Sequence, residues 1–131
     1  MRNIDIGLES IDKIYHIADV HVRNVKRHRE YRSVFKRLYS YIKKTRTPNS
    51  VIYVAGDIVH AKTDMSPELV AVVSDFFKNL ADLAPTLIIT GNHDCNLNNS
   101  YRLDALSPIV KALNHQRLHY LKDNGIYCIS G

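Results

Sequence analysis

The sequence predicts an α/β fold, a mostly parallel sheet flanked by helices and ending in a β-hairpin. Three observations carry this. Short runs rich in Ile, Val, Leu and Tyr ("KIYHIA", "VIYVAG", "TLIIT") recur along the chain. Longer stretches with the three-four spacing of a helix face separate them. Two further β-like runs, "RLHYL" and "IYCIS", lie beyond the last helical stretch. Strands separated by helices pair in parallel through right-handed crossovers, with the sheet covered by helices on its faces.

Taken in order, "KIYHIA" is the first strand, and "VIYVAG" and "TLIIT" are apolar enough to be covered on both faces. The first helix runs from Tyr31 on a stripe of Tyr31, Val34, Phe35, Leu38 and Ile42 and stops before Pro48. The second opens with Ser66 as N-cap, Pro67 at the first helical position and Glu68 in the first turn, then repeats Leu69, Val72, Val73, Phe76 and Leu80. A third pattern, Leu103, Leu106, Val110 and Leu113, is interrupted by Pro108. "RLHYL" and "IYCIS" are joined through Asn124-Gly125, a pair that favours a tight hairpin turn.

With 131 residues and 45% hydrophobic content, the chain has material for one core and one domain. No apolar run approaches the roughly 18 residues of a membrane span. "MRNIDIGLESIDK" lacks the apolar middle of a signal peptide. No membrane is expected as a partner, and the expected location is cytoplasmic and reducing. Cys95 and Cys128 have no CxxC spacing and are read as free thiols.

The formal charge is +5, and its distribution is uneven. Arg23, Lys26, Arg27, Arg29, Arg32, Lys36, Arg37, Lys43, Lys44 and Arg46 lie in one stretch opposed only by Glu30. A solvated helix face explains such a run in an average protein. Here the run starts just after an Asp-x-His cluster, which makes phosphate contact by Arg23, Lys26, Arg27 and Arg29 an equal reading.

That cluster is one of three. "ADVH" supplies Asp19 and His21, "GDIVH" supplies Asp57 and His60, and "GNHD" supplies Asn92, His93 and Asp94, each where a predicted strand ends. Ligands of open parallel sheets bind outside the carboxyl ends of the strands, so three chain segments converge on one rim. In Asp-x-His at a strand end the two side chains can point the same way, bringing a carboxylate oxygen and an imidazole nitrogen to one cation. Gly56 and Gly91 precede the ligand residues, where a missing Cβ permits a sharp turn. Singly, each tripeptide is as well explained by a helix cap or a packing histidine.

In this order, Asp-x-His, Gly-Asp and Gly-Asn-His-Asp resemble the calcineurin-like metallophosphoesterase family, and "GDIVH" with "GNHD" is most similar to the SbcD-type nucleases of double-strand-break repair. The resemblance implies the N-terminal half of a metallophosphoesterase α/β sandwich, incomplete at its C-terminus within residues 1–131. It implies two divalent cations, manganese first and magnesium as an alternative, with Asp19, His21 and Asp57 at one and Asp57 and Asn92 at the other. It assigns His93 to the scissile phosphate and His60 to placement of the nucleic-acid strand, and Asp94 is read as orienting His93 or a loop. The implied partners are DNA and an SbcC-type ATPase subunit, and a homodimer is left open.

One departure bears on activity. The family's later Gly-His and Gly-His-x-His motifs are absent from the 131 residues, so the second cation site is incomplete in this chain. His16, His28, His115 and His119 lack spaced partners and are read as structural. Two rivals to a DNA nuclease are a phosphatase or cyclic-nucleotide phosphodiesterase using the same motifs, and a non-catalytic nucleic-acid-binding remnant of the fold.

Overall fold

The computed structural model describes residues 1–22, 27–56, 58–59, 66–89, 106–123 and 125–130. Among these residues, six strands and three helices follow the order β1 (Arg2–Asp5), β2 (Lys13–Ala18), α1 (His28–Thr45), β3 (Ser50–Ala55), α2 (Pro67–Leu83), β4 (Thr86–Ile89), α3 (Ser107–Leu113), β5 (Leu118–Leu121) and β6 (Tyr127–Ser130). Strands β2 to β5 form one all-parallel sheet in sequential order, β2-β3-β4-β5. Each successive crossover steps the same way, and three right-handed crossovers that do so leave their helices on one face. That face packs Ile52, Val54 and Ile88 against Phe35, Ile42, Leu69, Val73, Phe76 and Leu80.

The opposite face is covered by strands. Pairing of β1 with β6 makes a separate parallel two-stranded sheet, and its Ile4 and Ile129 pack with Ile6 against Val51, Tyr53 and Leu87. Two expectations are corrected here. Helices cover one face of the main sheet instead of both, and β5 and β6 do not form a hairpin but lie in different sheets. Pairing with β1 gives β6 a four-residue ladder, Arg2↔Tyr127 through Asp5↔Ser130, and an apolar contact on the main sheet. A local turn preference at Gly125 does not outweigh both.

The helices follow their sequence signals closely. In α2 the Ser66 side chain accepts a hydrogen bond from the Leu69 N–H at 3.1 Å, and Leu69, Val72, Val73, Phe76 and Leu80 are all buried. In α1, Phe35 and Ile42 are buried and Tyr31 and Leu38 pack on the core, but Val34 is 56% exposed. Val34 lies about 200° round the helix from Arg32 at 100° per residue, and Arg32 reaches across to Asp75 of α2. Val34 therefore faces away from the helical layer. Pro108 does not interrupt α3; it occupies the first turn, where its missing N–H has no partner to lose. Leu103 lies outside the described residues.

Helix α1 runs antiparallel to β2, and hydrogen bonds fix both of its ends. Near its start the Tyr31 hydroxyl donates to the His21 carbonyl at 2.7 Å. At its end the Thr45 carbonyl accepts from Lys13 Nζ at 2.6 Å. The N-terminus of α1 therefore sits at the carboxyl rim of the sheet and its C-terminus at the amino rim.

Candidate metal centre

The register of the sheet determines what can meet at the carboxyl rim. Ala18 pairs with Ala55, and Ala55 with Ile89, so the last residues of β2, β3 and β4 form one row across the sheet. The next residues of β2 and β3 are Asp19 and Gly56, and the Gly56 N–H donates to the Ile89 carbonyl at 3.0 Å. Two positions beyond Ile89 in sequence the "GNHD" stretch begins. The first two segments singled out in the sequence thus leave the sheet from one row, and the third follows the Ile89 of that row in sequence.

The first two segments are tied together again further on. Val22 and Val59 form a parallel bridge, and the Val22 N–H donates to the Ile58 carbonyl at 2.7 Å. Asp19, Val20 and His21 on one strand extension lie between the same two ties as Gly56 and Ile58 on the other. Val22, Ile58 and Val59 are fully buried and Val20 packs on the core, so this rim is anchored from below.

Between the ties the backbone is unusual. Asp19 (φ 55°) and His21 (φ 51°) both take left-handed conformations, and so does Gly56 (φ 54°). Gly56 needs φ > 0 for the turn and has no Cβ to oppose it, as its position before Asp57 suggested. For non-glycine residues such a conformation costs of order 1–3 kcal/mol each and persists only where surroundings enforce it. Asp and His tolerate it better than most residues. The Tyr31 hydroxyl on the His21 carbonyl is one of the groups enforcing it.

The outcome is a pair of donors on the same side. Asp19 Oδ1 and His21 Nε2 are 3.7 Å apart, with side chains 74% and 35% exposed. Two ligands at about 2.1 Å from a cation and at right angles to one another are about 3.0 Å apart. A side-chain rotation closing roughly 0.7 Å would let both bind one ion, so the carboxylate and imidazole present here fit the chemistry of a divalent cation. Among the described residues no group of three His, Cys, Asp or Glu side chains clusters at ligating distance. Asp57, His60, Asn92, His93, Asp94, Arg23 and Lys26 lie outside the described residues.

Of the sequence-predicted phosphate contacts, Arg27 and Arg29 are described. Arg27 precedes α1 in a left-handed conformation (φ 65°) with no side-chain cap, and both arginines are exposed near the rim where Tyr31 meets His21. Tyr31 itself was read in the sequence only as part of a buried stripe. Its hydrogen bond to the backbone ten residues earlier has no local sequence signature.

Of the four histidines read as structural, three lie within the sheet or at its amino end, and His28 opens α1. His16 is on the outer face of β2 against the Tyr53 ring, with centroids 5.2 Å apart. His115 Nδ1 accepts from the Arg117 N–H at 3.1 Å. Its Nε2 therefore carries the proton and donates to Asp82 Oδ1 at 2.8 Å. This bond holds the Asp82 carboxyl below the usual carboxylate range. Leu118 and Thr86, which begin β5 and β4, bond to the His115 and Arg117 carbonyls, so His115 is at the amino end of the sheet, away from the candidate centre. His119 pairs in register with Leu87, two rows short of the rim, and its burial lowers its pKa while Asp5 acts in the opposite sense. Cys128 is a free thiol, and Cys95 lies outside the described residues.

A one-face-wound parallel sheet with carboxylate and imidazole donors on its carboxyl rim belongs to the class of α/β proteins that bind their ligands at strand ends. Residues 12–131 match the calcineurin-like phosphoesterase family. The chain belongs to that family, a family of phosphoester hydrolases that use divalent metals. It is 50% identical over 125 residues to uncharacterized protein R555 of Acanthamoeba polyphaga mimivirus. That match covers 94% of this chain and 9% of the relative's length. No helix among the described residues is long and apolar enough to cross a membrane.

Proposed function

We propose that the chain is the metal-ligating half of a phosphodiesterase that acts on DNA, in the manner of the SbcD-type nucleases. The observation that supports the reading is the row Ala18, Ala55 and Ile89, after which Asp-x-His, Gly-Asp and Gly-Asn-His-Asp follow in the sequence. "GDIVH" and the aspartate closing "GNHD" favour a nuclease over a protein phosphatase. The excess of basic residues beside the rim favours a polyanionic substrate over a small one.

In this reading Asp19, His21 and Asp57 hold one divalent cation, and Asp57 with Asn92 contributes to a second. Bound there, divalent cations would supply Lewis-acid neutralisation of charge on the phosphoryl oxygens during an in-line displacement. The chain's own groups do the rest. His93 donates a proton toward the leaving oxygen, Asp94 orients the His93 ring, His60 positions the strand, and Arg23, Lys26, Arg27 and Arg29 hold flanking phosphates. Manganese suits the mixed oxygen and imidazole donors, and magnesium is the alternative. An SbcC-type ATPase and a second copy of the chain remain proposals at the level of the resemblance.

The test is single-turnover cleavage of labelled duplex DNA at enzyme excess in manganese, beside hydrolysis of a small aryl phosphodiester. Slow DNA cleavage that stops in chelator and falls by 10²-fold or more in His93→Ala supports the reading. Hydrolysis of the aryl ester with intact DNA would replace it by a small-substrate phosphodiesterase. DNA binding in chelator with no cleavage under any condition would leave a non-catalytic binding module.

A further inference from the structure

The basic residues of α1 do not stop at the rim. Arg29, Lys36, Arg37, Lys43 and Lys44 are all exposed, and none of the five makes an ion pair among the described residues. At 100° per residue they occupy an arc of about 120° on the side of the helix away from the sheet. Glu30 of α1 borders the arc about 20° beyond Arg37 and makes no ion pair among the described residues, so one acid stands against five cations. Asp75 of α2 is engaged by Arg32 at 2.7 Å, and Asp82 by Lys78 and His115.

From Arg29 to Lys44 the arc extends about 22 Å at 1.5 Å per residue. It starts beside the candidate centre, where Tyr31 holds His21, and ends at the amino rim, where Thr45 meets Lys13. From these observations we infer that the outer face of α1 is a track for the phosphate backbone of duplex DNA, leading away from the rim. Its length corresponds to about six to seven base pairs at 3.4 Å of rise per pair. This inference rests on the reading of the chain as acting on DNA.

The character of the arc selects the occupant. Single-stranded nucleic acid is held on aromatic platforms, and between the five cations the arc carries only Ser33 and Ser40. An anionic membrane would be bound by an amphipathic helix with a free apolar face. Here Phe35 and Ile42 are buried in the core, and the exposed Val34 and Tyr41 lie outside the arc, about 40–60° beyond Arg37. Charge without stacking or insertion matches a duplex backbone.

Fluorescence anisotropy with the 131-residue chain in EDTA, on a 20-base-pair DNA duplex across a salt series, tests the track without involving cleavage. The combined variant Lys36→Ala, Arg37→Ala, Lys43→Ala and Lys44→Ala is expected to bind at least 10-fold more weakly at physiological salt. The slope of log K against log salt is expected to flatten by about 3 to 4, close to 0.9 for each lost phosphate contact. A charge-preserving variant, Lys36→Arg with Lys43→Arg and Lys44→Arg, is expected to bind as the parent does, which separates charge from folding. The track is refuted by an unchanged slope, by equal affinity for a single strand of the same length, or by binding to phosphatidylserine vesicles without binding to DNA. Because the measurement is made in chelator, loss of the track leaves manganese-dependent cleavage to be judged separately.

Discussion

The hydroxyl of Tyr31 offers the most informative single perturbation of the candidate centre. Its hydrogen bond to the His21 carbonyl, at 2.7 Å, joins the first turn of α1 to a residue held at φ 51°. Tyr31→Phe deletes this bond and leaves the ring in place beside Phe35, with centroids now 6.0 Å apart. A hydrogen bond of this kind contributes about 1 kcal/mol net. That is comparable to the lower end of the cost of a left-handed non-glycine residue, about 1 kcal/mol. Loss of the bond therefore shifts His21 toward conformers in which Nε2 no longer lies beside Asp19 Oδ1. If the whole loss falls on the competent conformer, manganese affinity drops about 5-fold, since 1.4 kcal/mol is tenfold. Manganese titration by calorimetry reads the affinity, urea unfolding reads the stability, and the imidazole nitrogen resonances of His21 read its environment. A variant that loses about 1 kcal/mol of stability yet binds manganese as the parent does, with unmoved His21 resonances, would make Tyr31 a packing residue and refute the reasoning.

Three further outcomes are expected. The 131-residue chain should bind no more than one equivalent of manganese, and weakly, because its ligands supply Asp19, His21 and Asp57 for one ion but only Asp57 and Asn92 for another; two tight equivalents in calorimetry would contradict this. Phe76→Ala should cost about 3–5 kcal/mol in urea unfolding, because Phe76 is buried and stacked on Phe35 with centroids 4.2 Å apart. Burial depresses the pKa of His119, so the neutral ring is favoured in the fold; its contribution to stability is present above the unfolded value near 6.5 and is lost as pH falls from there through the folded value. The melting temperature of His119→Gln should accordingly fall less steeply than that of the parent as pH drops below about 6.5.

Local signals in the sequence were decisive where the structure depends on local chemistry. Ser66-Pro67-Glu68 starts α2 as a cap, a proline and an acid should, and the apolar strands β3 and β4 are buried on both faces. Strand pairing is non-local, and there the reading failed. "RNID" has Ile4 as its one apolar side chain, too little periodicity to announce β1. Without β1, the Asn124-Gly125 signal had no competitor, and β6 was assigned to β5. At the candidate centre the Asp57 of Gly-Asp lies outside the described residues, and the approach of Asp19 to His21 was legible in the Asp-x-His spacing. The left-handed backbone at Asp19 and His21 was not, since neither residue is glycine. Nor was Tyr31 as a tether, because its apolar spacing already accounted for it.

The central claim, that a divalent cation binds on the carboxyl rim between the ends of β2 and β3, is tested most directly by paramagnetic broadening of backbone amide resonances with substoichiometric manganese. The account predicts selective loss of the signals of Asp19 to Val22 and Gly56 to Ile58, with Lys13, Ser50, Thr86 and Leu118 at the amino rim unaffected, and no such loss in Asp19→Ala. Broadening centred on His115 and Asp82, or a pattern identical in Asp19→Ala, would contradict it.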